Sequence, residues 1–93
     1  MAKVLIKANV AFLDEFLDVL AGFDRKPYGE LSFTADIDDN AHNQVYVTFN
    51  WNTLRDARDF WTSRIGLAHI GAWHSVSTPE FVYLRNLPTE SQE

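Results

Sequence analysis

The chain of 93 residues is predicted to be an α+β protein, a ferredoxin-like β-α-β-β-α-β sandwich, and three observations predict it. Residues 30–37 and 44–51 each alternate apolar and polar side chains around a turn-rich segment, as two arms of a hairpin do. Before them, a short alternating run leads into an apolar stripe of helical period; after them, a capped helix leads to a last alternating run. Two such half-motifs, strand–helix–strand each, give the split βαβ order.

The elements follow in turn. Lys3 to Ala8 alternates Val4, Ile6 and Ala8 against Leu5 and Lys7, which suits a short strand. Asn9 is placed to cap the next helix through its side-chain oxygen, and Val10, Leu13, Phe16, Leu17 and Leu20 form that helix's apolar stripe, with Asp14, Glu15 and Asp18 off it. Gly22 is the expected stop, glycine being free to turn left-handed. Residues 23–29, holding Pro27 and Gly29, are a connector. Glu30 to Ile37 carries Leu31, Phe33, Ala35 and Ile37 on one face and Ser32, Thr34 and Asp36 on the other. The turn 38–43 includes His42, read as solvated. Gln44 to Trp51 alternates Val45, Val47, Phe49 and Trp51 with Tyr46, Thr48 and Asn50. Asn52 or Thr53 caps the second helix, whose stripe is Leu54, Ala57, Phe60 or Trp61, and Ile65, with Asp56 favourable to the helix dipole. A short further helix is expected over 65–73, and Glu80 to Leu87 is the last strand. Residues 1–88 make one domain and 89–93 a polar tail.

Composition excludes several classes of function. The net charge is −5 without a basic stripe, which argues against nucleic acid and against anionic membrane surfaces. Cysteine is absent, so thiol chemistry and thiolate metal sites are out. No apolar run reaches a membrane span, and Met1 to Lys7 is too short for a signal peptide, so a cytoplasmic location is expected.

The second face of the sheet carries Ser32, Thr34, Tyr46, Thr48 and Asn50, uncharged apart from Asp36. To these are added Leu5 and either Val82 and Leu84 or Phe81 and Tyr83. Such a surface suits cover better than water, and a small domain gains from sharing it. A homodimer through the sheet faces is expected.

The second half of the chain resembles the dimeric α/β-barrel domains of the antibiotic biosynthesis monooxygenase family. The resemblance is carried by Phe49, Trp51, Ala57, Phe60, Ser63, Pro79 and Phe81 to Leu84, about 35 residues at the motif level. The family usually has a small Ala-Gly-Val stretch before the proline. Here stand Ala72, Trp73, His74, Ser75 and Val76, bulky enough to reshape or plug a pocket. The resemblance implies a compact dimer with a pocket between sheet and helices, and a cofactor-independent monooxygenase-like enzyme acting on an aromatic or conjugated molecule. It implies no metal. A non-catalytic ligand-binding or interaction dimer of the same fold is the alternative, and a haem-degrading oxygenase a further one. Relatives of that last kind use an asparagine, a tryptophan and a histidine broadly where Asn9, Trp61 and His69 stand, although Trp61 and His69 are spaced differently here.

The candidate catalytic residues are therefore Asn50, Trp61 and His69. Asn9, Tyr46, Trp51, Trp73, Tyr83 and Arg85 are candidates for binding substrate. Asn, Tyr, Trp and Arg groups suit stabilisation of a carbanion or phenolate as fixed donors. The imidazole of His69 suits proton transfer, or packing as a hydrogen-bonded residue. The three tryptophans form an aromatic wall or simply fill volume. Arg85 is available to an enolate or to an acidic neighbour at the sheet edge. His69 and His74 have no carboxylate within a helical turn of sequence, so no metal pair is expected.

Overall fold

A computed structural model describes residues 2–41 and 43–87. His42 and the 89–93 tail thus lie outside the described residues. The elements are β1 (Ala2–Asn9), α1 (Leu13–Gly22), β2 (Glu30–Ile37), β3 (Gln44–Trp51), α2 (Leu54–Thr62), α3 (Arg64–Gly71) and β4 (Glu80–Arg85), with a 3-10 turn at Lys26–Tyr28. The four strands form one antiparallel sheet in the order β2-β3-β1-β4, which is the expected α+β, ferredoxin-like arrangement.

Most of the sheet follows the alternation in the sequence. Val4, Ile6 and Ala8 of β1 and Val45, Val47, Phe49 and Trp51 of β3 are buried on the inner face, under the helices. Register sets the face of β4: Tyr83 pairs with Val4 and Phe81 with Ile6, so these two look inward, while Val82 beside Leu5 and Leu84 beside Lys3 look outward. The outer face thus collects Leu5, Tyr46, Thr48, Asn50, Val82 and Leu84. It also holds the charges of Lys3, Lys7 and Glu80, with the Lys7 ammonium over the Tyr46 ring.

Several boundaries differ from expectation. Asn9 ends β1, opposite Gln44, and does not cap α1. The backbone N–H groups of Val10 and Ala11 donate to the carbonyls of Asn43 and His74, which keeps the chain extended; α1 starts three residues later, with Phe12 at its N-cap and no side-chain cap. Gly22 ends α1 as expected, but without a left-handed turn: the chain leaves through an extended Phe23. Ile65 does not extend the stripe of α2. The chain breaks at Ser63, whose hydroxyl donates to the Phe60 carbonyl and accepts from Gly66 N–H, starting α3 in a new direction and leaving Ile65 44% exposed. The last strand stops at Arg85 rather than Leu87.

The entry to α2 is capped by Thr53, whose hydroxyl accepts from Asp56 N–H at 3.0 Å. At the joint between α2 and α3, a Cβ on Gly66 would lie 2.0 Å from the Phe60 carbonyl oxygen, so only glycine permits this approach.

Candidate functional site

The inner face of the sheet and the three helices enclose an aromatic core. Trp51, Trp61 and Trp73 are each at most 1% exposed, and with Phe16, Leu20, Phe49 and Phe60 they fill the space between sheet and helices. Trp73 stands edge-on to Phe16 at 4.9 Å. It occupies the interior, as the bulky residues at 72–76 foreshadow.

Within this core lie three polar side chains. Arg25, Glu30 and His69 are 2%, 7% and 3% exposed. Arg25 comes from the connector after α1, and its guanidinium sits over the rings of Phe33 and Phe49, at 4.9 and 5.0 Å. Its Nε donates to the Glu30 carboxylate, and its Nη1 donates to the Leu20 carbonyl and to His69 Nε2, both at 3.1 Å. Burying such a charge is tolerable only when paired and hydrogen-bonded, as here.

This contact fixes the state of His69. A guanidinium has donors and no acceptor, so Nε2 must present its lone pair and the ring proton resides on Nδ1. Burial, and then the Arg25 cation, lower the pKa of the imidazole from 6.5 to about 4, so it is neutral at physiological pH. Its rings are flanked by Phe23, stacked at 4.5 Å, by Trp61 at 5.7 Å and by Trp73 edge-on at 5.9 Å. Nδ1 of His69 and Nε1 of both Trp61 and Trp73 are buried without a hydrogen-bond partner among the described residues.

His69 also lines a groove of about 400 Å³ between α1 and α3. Val19, Gly22 and Phe23 form one wall; Ile65, Ala68, His69 and Ala72 form the other. The lining is apolar except for the imidazole. A planar or aliphatic guest fits such a groove, and the His69 Nδ1 is closed to solvent, so a guest reaches it only by parting the wall.

The structure brings Trp51, Trp61, His69 and Trp73 together inside. Tyr83 joins them from β4, half-buried, its ring beneath the Arg58 guanidinium at 5.1 Å; burial raises its phenol pKa and the Arg58 cation opposes the rise. Asn50, Tyr46 and Asn9 are across the sheet, on its outer face. The Asn50 amide donates to the Ser32 hydroxyl at 2.9 Å, and the Tyr46 hydroxyl reaches Asp38 at 3.4 Å. Arg85 is exposed at the end of β4. The chain therefore does not gather the nine candidates into one pocket.

Haem ligation by His69 does not fit this arrangement. Its only lone pair faces the Arg25 cation, and Asn9 is on the opposite side of the sheet from Trp61 and His69.

Arg25 and Glu30 were missed by the pattern in the sequence. Strict alternation puts Glu30 on the outer face with Ser32 and Thr34. A bulge between Glu30 and Ser32 shifts the register, so Glu30 pairs with Trp51 and turns inward. A charged residue in a connector between aromatic Phe23 and Tyr28 was the available signal for Arg25.

No helix among the described residues is long and apolar enough to cross a membrane. No protein-family profile and no curated protein matches the sequence. Solved structures do match. An antibiotic biosynthesis monooxygenase superposes with a TM-score of 0.71 at 13% identity, over 95% of this chain and 100% of the other. SnoaB, a cofactor-independent oxygenase from Streptomyces nogalater, gives 0.68 at 19% identity over 96% and 95%. A candidate antibiotic biosynthesis monooxygenase from Deinococcus radiodurans gives 0.74 at 14% identity over 96% and 95%. Over nearly its whole length, the chain has the ferredoxin-like α+β fold of the antibiotic biosynthesis monooxygenase-like structures.

Proposed function

We propose that the protein is a monooxygenase-like enzyme that uses no resident metal and acts on a small aromatic or conjugated compound held in the groove between α1 and α3. The observation that carries this reading is a neutral imidazole at the wall of an otherwise apolar groove, backed by a buried Arg25–Glu30 pair. A neutral imidazole N–H stabilises a developing enolate or phenolate oxygen without giving up its proton. Likeness in fold to a cofactor-independent oxygenase agrees with it. The reaction class is oxidation of an activated CH2 by dioxygen: the substrate loses a proton to water to give the stabilised anion, its carbon bonds to dioxygen and the proton returns to the outer oxygen, and loss of the second C–H proton with O–O cleavage leaves the new carbonyl and one water.

The active form in this reading is a homodimer through the outer sheet face. There Val82 and Leu84 are exposed beside Leu5 and Thr48, and Lys7 neighbours Glu80, so a two-fold partner would find both apolar area and charges of both signs. Oxygen uptake with a panel of anthrones tests the activity. Quinone formation with water as the second product, lost in His69→Gln, is the expected result; uptake no faster than buffer autoxidation overturns it. Sedimentation at micromolar concentration tests the dimer, which Val82→Arg should split; the mass of one chain in the wild type ends that part.

One observation favours a second reading. Trp51, Trp61, Trp73 and Leu20 occupy the interior between sheet and helices, leaving the groove at the helix surface. A dimer that binds a hydrophobic metabolite without transforming it would look the same, and binding in the groove with no oxygen uptake would establish it.

A further inference from the structure

We propose that Arg25 is a positioning residue that holds His69 as a permanent Nδ1–H donor, so that the groove selects apolar guests carrying an acceptor oxygen. This rests on the groove being the ligand site, as proposed above. Four observations support it. The Arg25 guanidinium is held on Glu30 and Leu20 and packed on Phe33 and Phe49, so it cannot swing away from Nε2 without breaking two hydrogen bonds. Nε2 is therefore spent on Arg25. Nδ1–H meets no partner among the described residues, an arrangement native interiors rarely leave without an occupant or a use. His69 is itself a lining residue of the groove, with Ala68 of α3 and the capping residues Ala72 and Phe23, and its Nδ1 is closed to solvent until a guest parts that wall.

The consequence is selective. An imidazole in the other tautomer would offer a lone pair at Nδ1 and favour a guest with a donor, such as an alcohol or an amine. Fixed by Arg25, it rewards a carbonyl or an enolate and gives nothing to a hydrocarbon of equal size. A neutral hydrogen bond of this kind is worth a factor of about three to ten in affinity.

Long-range proton–nitrogen NMR of the uniformly labelled protein, with indane and 1-indanone as probes, tests both halves. At pH 7 the His69 ring should show a protonated Nδ1 and a bare Nε2. Both probes should move the methyl signals of Ala68 and Ala72, but 1-indanone alone should move the Nδ1–H signal, and it should bind about three- to tenfold more tightly. In the double variant Arg25→Leu, Glu30→Leu, which leaves neither charge unpaired, Nε2–H should appear and the preference for the ketone should vanish. The urea midpoint shows whether that variant is folded; a folded variant with unchanged tautomer and preference overturns the role of Arg25. A wild-type ring protonated at Nε2 overturns it directly. If both probes move the alanine methyls and the Nδ1–H signal ignores the ketone, the groove stands and the donor assignment falls. If neither moves the methyls, the groove itself fails, and acceptor selection with it.

Discussion

Acid should unfold this protein through His69 before general titration of the carboxylates takes over. In the native state the imidazole pKa is about 4, lowered by burial and by the Arg25 cation; in the unfolded chain it is near 6.5. A depressed native pKa means that the unfolded state binds the proton first. The stabilisation is complete above pH 6.5 and is lost as the pH falls towards 4, at up to about 1.4 kcal/mol per pH unit. Across the window this amounts to at most about 3 kcal/mol, a large share of the about 5–15 kcal/mol that holds a domain of this kind together. The groups that face the ring are Arg25, from the connector, and through it Glu30; Phe23, Trp61 and Trp73 complete the surroundings without charge. His69→Gln is the control, since glutamine keeps an acceptor for Arg25 and has no proton to gain. Urea unfolding of both proteins from pH 4 to 8 should give a stability gap that is constant above 6.5 and moves against the wild type by about 3 kcal/mol at pH 4. A gap that stays flat through this range refutes the reasoning. The imidazole would then ionise as easily inside the fold as outside, and Arg25 could not be facing a bare nitrogen.

Three further outcomes are expected. Glu30→Gln leaves the Arg25 cation buried without its counter-charge and should cost about 3–5 kcal/mol in urea unfolding, whereas Arg25→Leu with Glu30→Leu should cost far less. Gly66→Ala drives a methyl into the Phe60 carbonyl and should cost about 1–3 kcal/mol or more; a melting temperature unchanged from wild type would contradict the close approach of α2 and α3. Trp73→Ala removes a fully buried indole packed on Phe16 and His69 and should cost about 3–5 kcal/mol, read from the same unfolding curves.

The side-chain period of two made the strands easy to read, most clearly in β1 and β3, where one face is buried; β2 and β3 match the sequence pattern residue for residue at their ends, although Glu30 is the only buried residue of β2. The start of α1 was not legible, since what keeps residues 10–12 extended is a pair of backbone hydrogen bonds to Asn43 and His74, residues distant in the chain. Ile65 misled for a related reason: the Ser63 hydroxyl resets the helix axis, and a stripe counted through the break points at nothing. In the candidate site, Trp51 followed from alternation and Trp61 was one of two choices, with Phe60, that the helical period left open, both being buried; Trp73, in the turn after α3, has no such period to place it. Asn50 and Tyr46 followed the same alternation to the opposite face, which the grouping of candidates by residue type overlooked. The Arg25–Glu30 pair was hidden by a single-residue bulge, which reverses facing without leaving a mark in composition.

The glycine seam at Gly66 has a mechanical corollary. With the Phe60 carbonyl seated directly against it, α2 and α3 behave as one rigid slab, anchored to the sheet by Ala57, Phe60 and Trp61. On the other side of the groove, α1 is hung on Phe16 and Leu20. Any widening to admit a guest must therefore come from α1 swinging out. Amide exchange along α1 should slow when the groove is filled, while exchange along α3 keeps its pace.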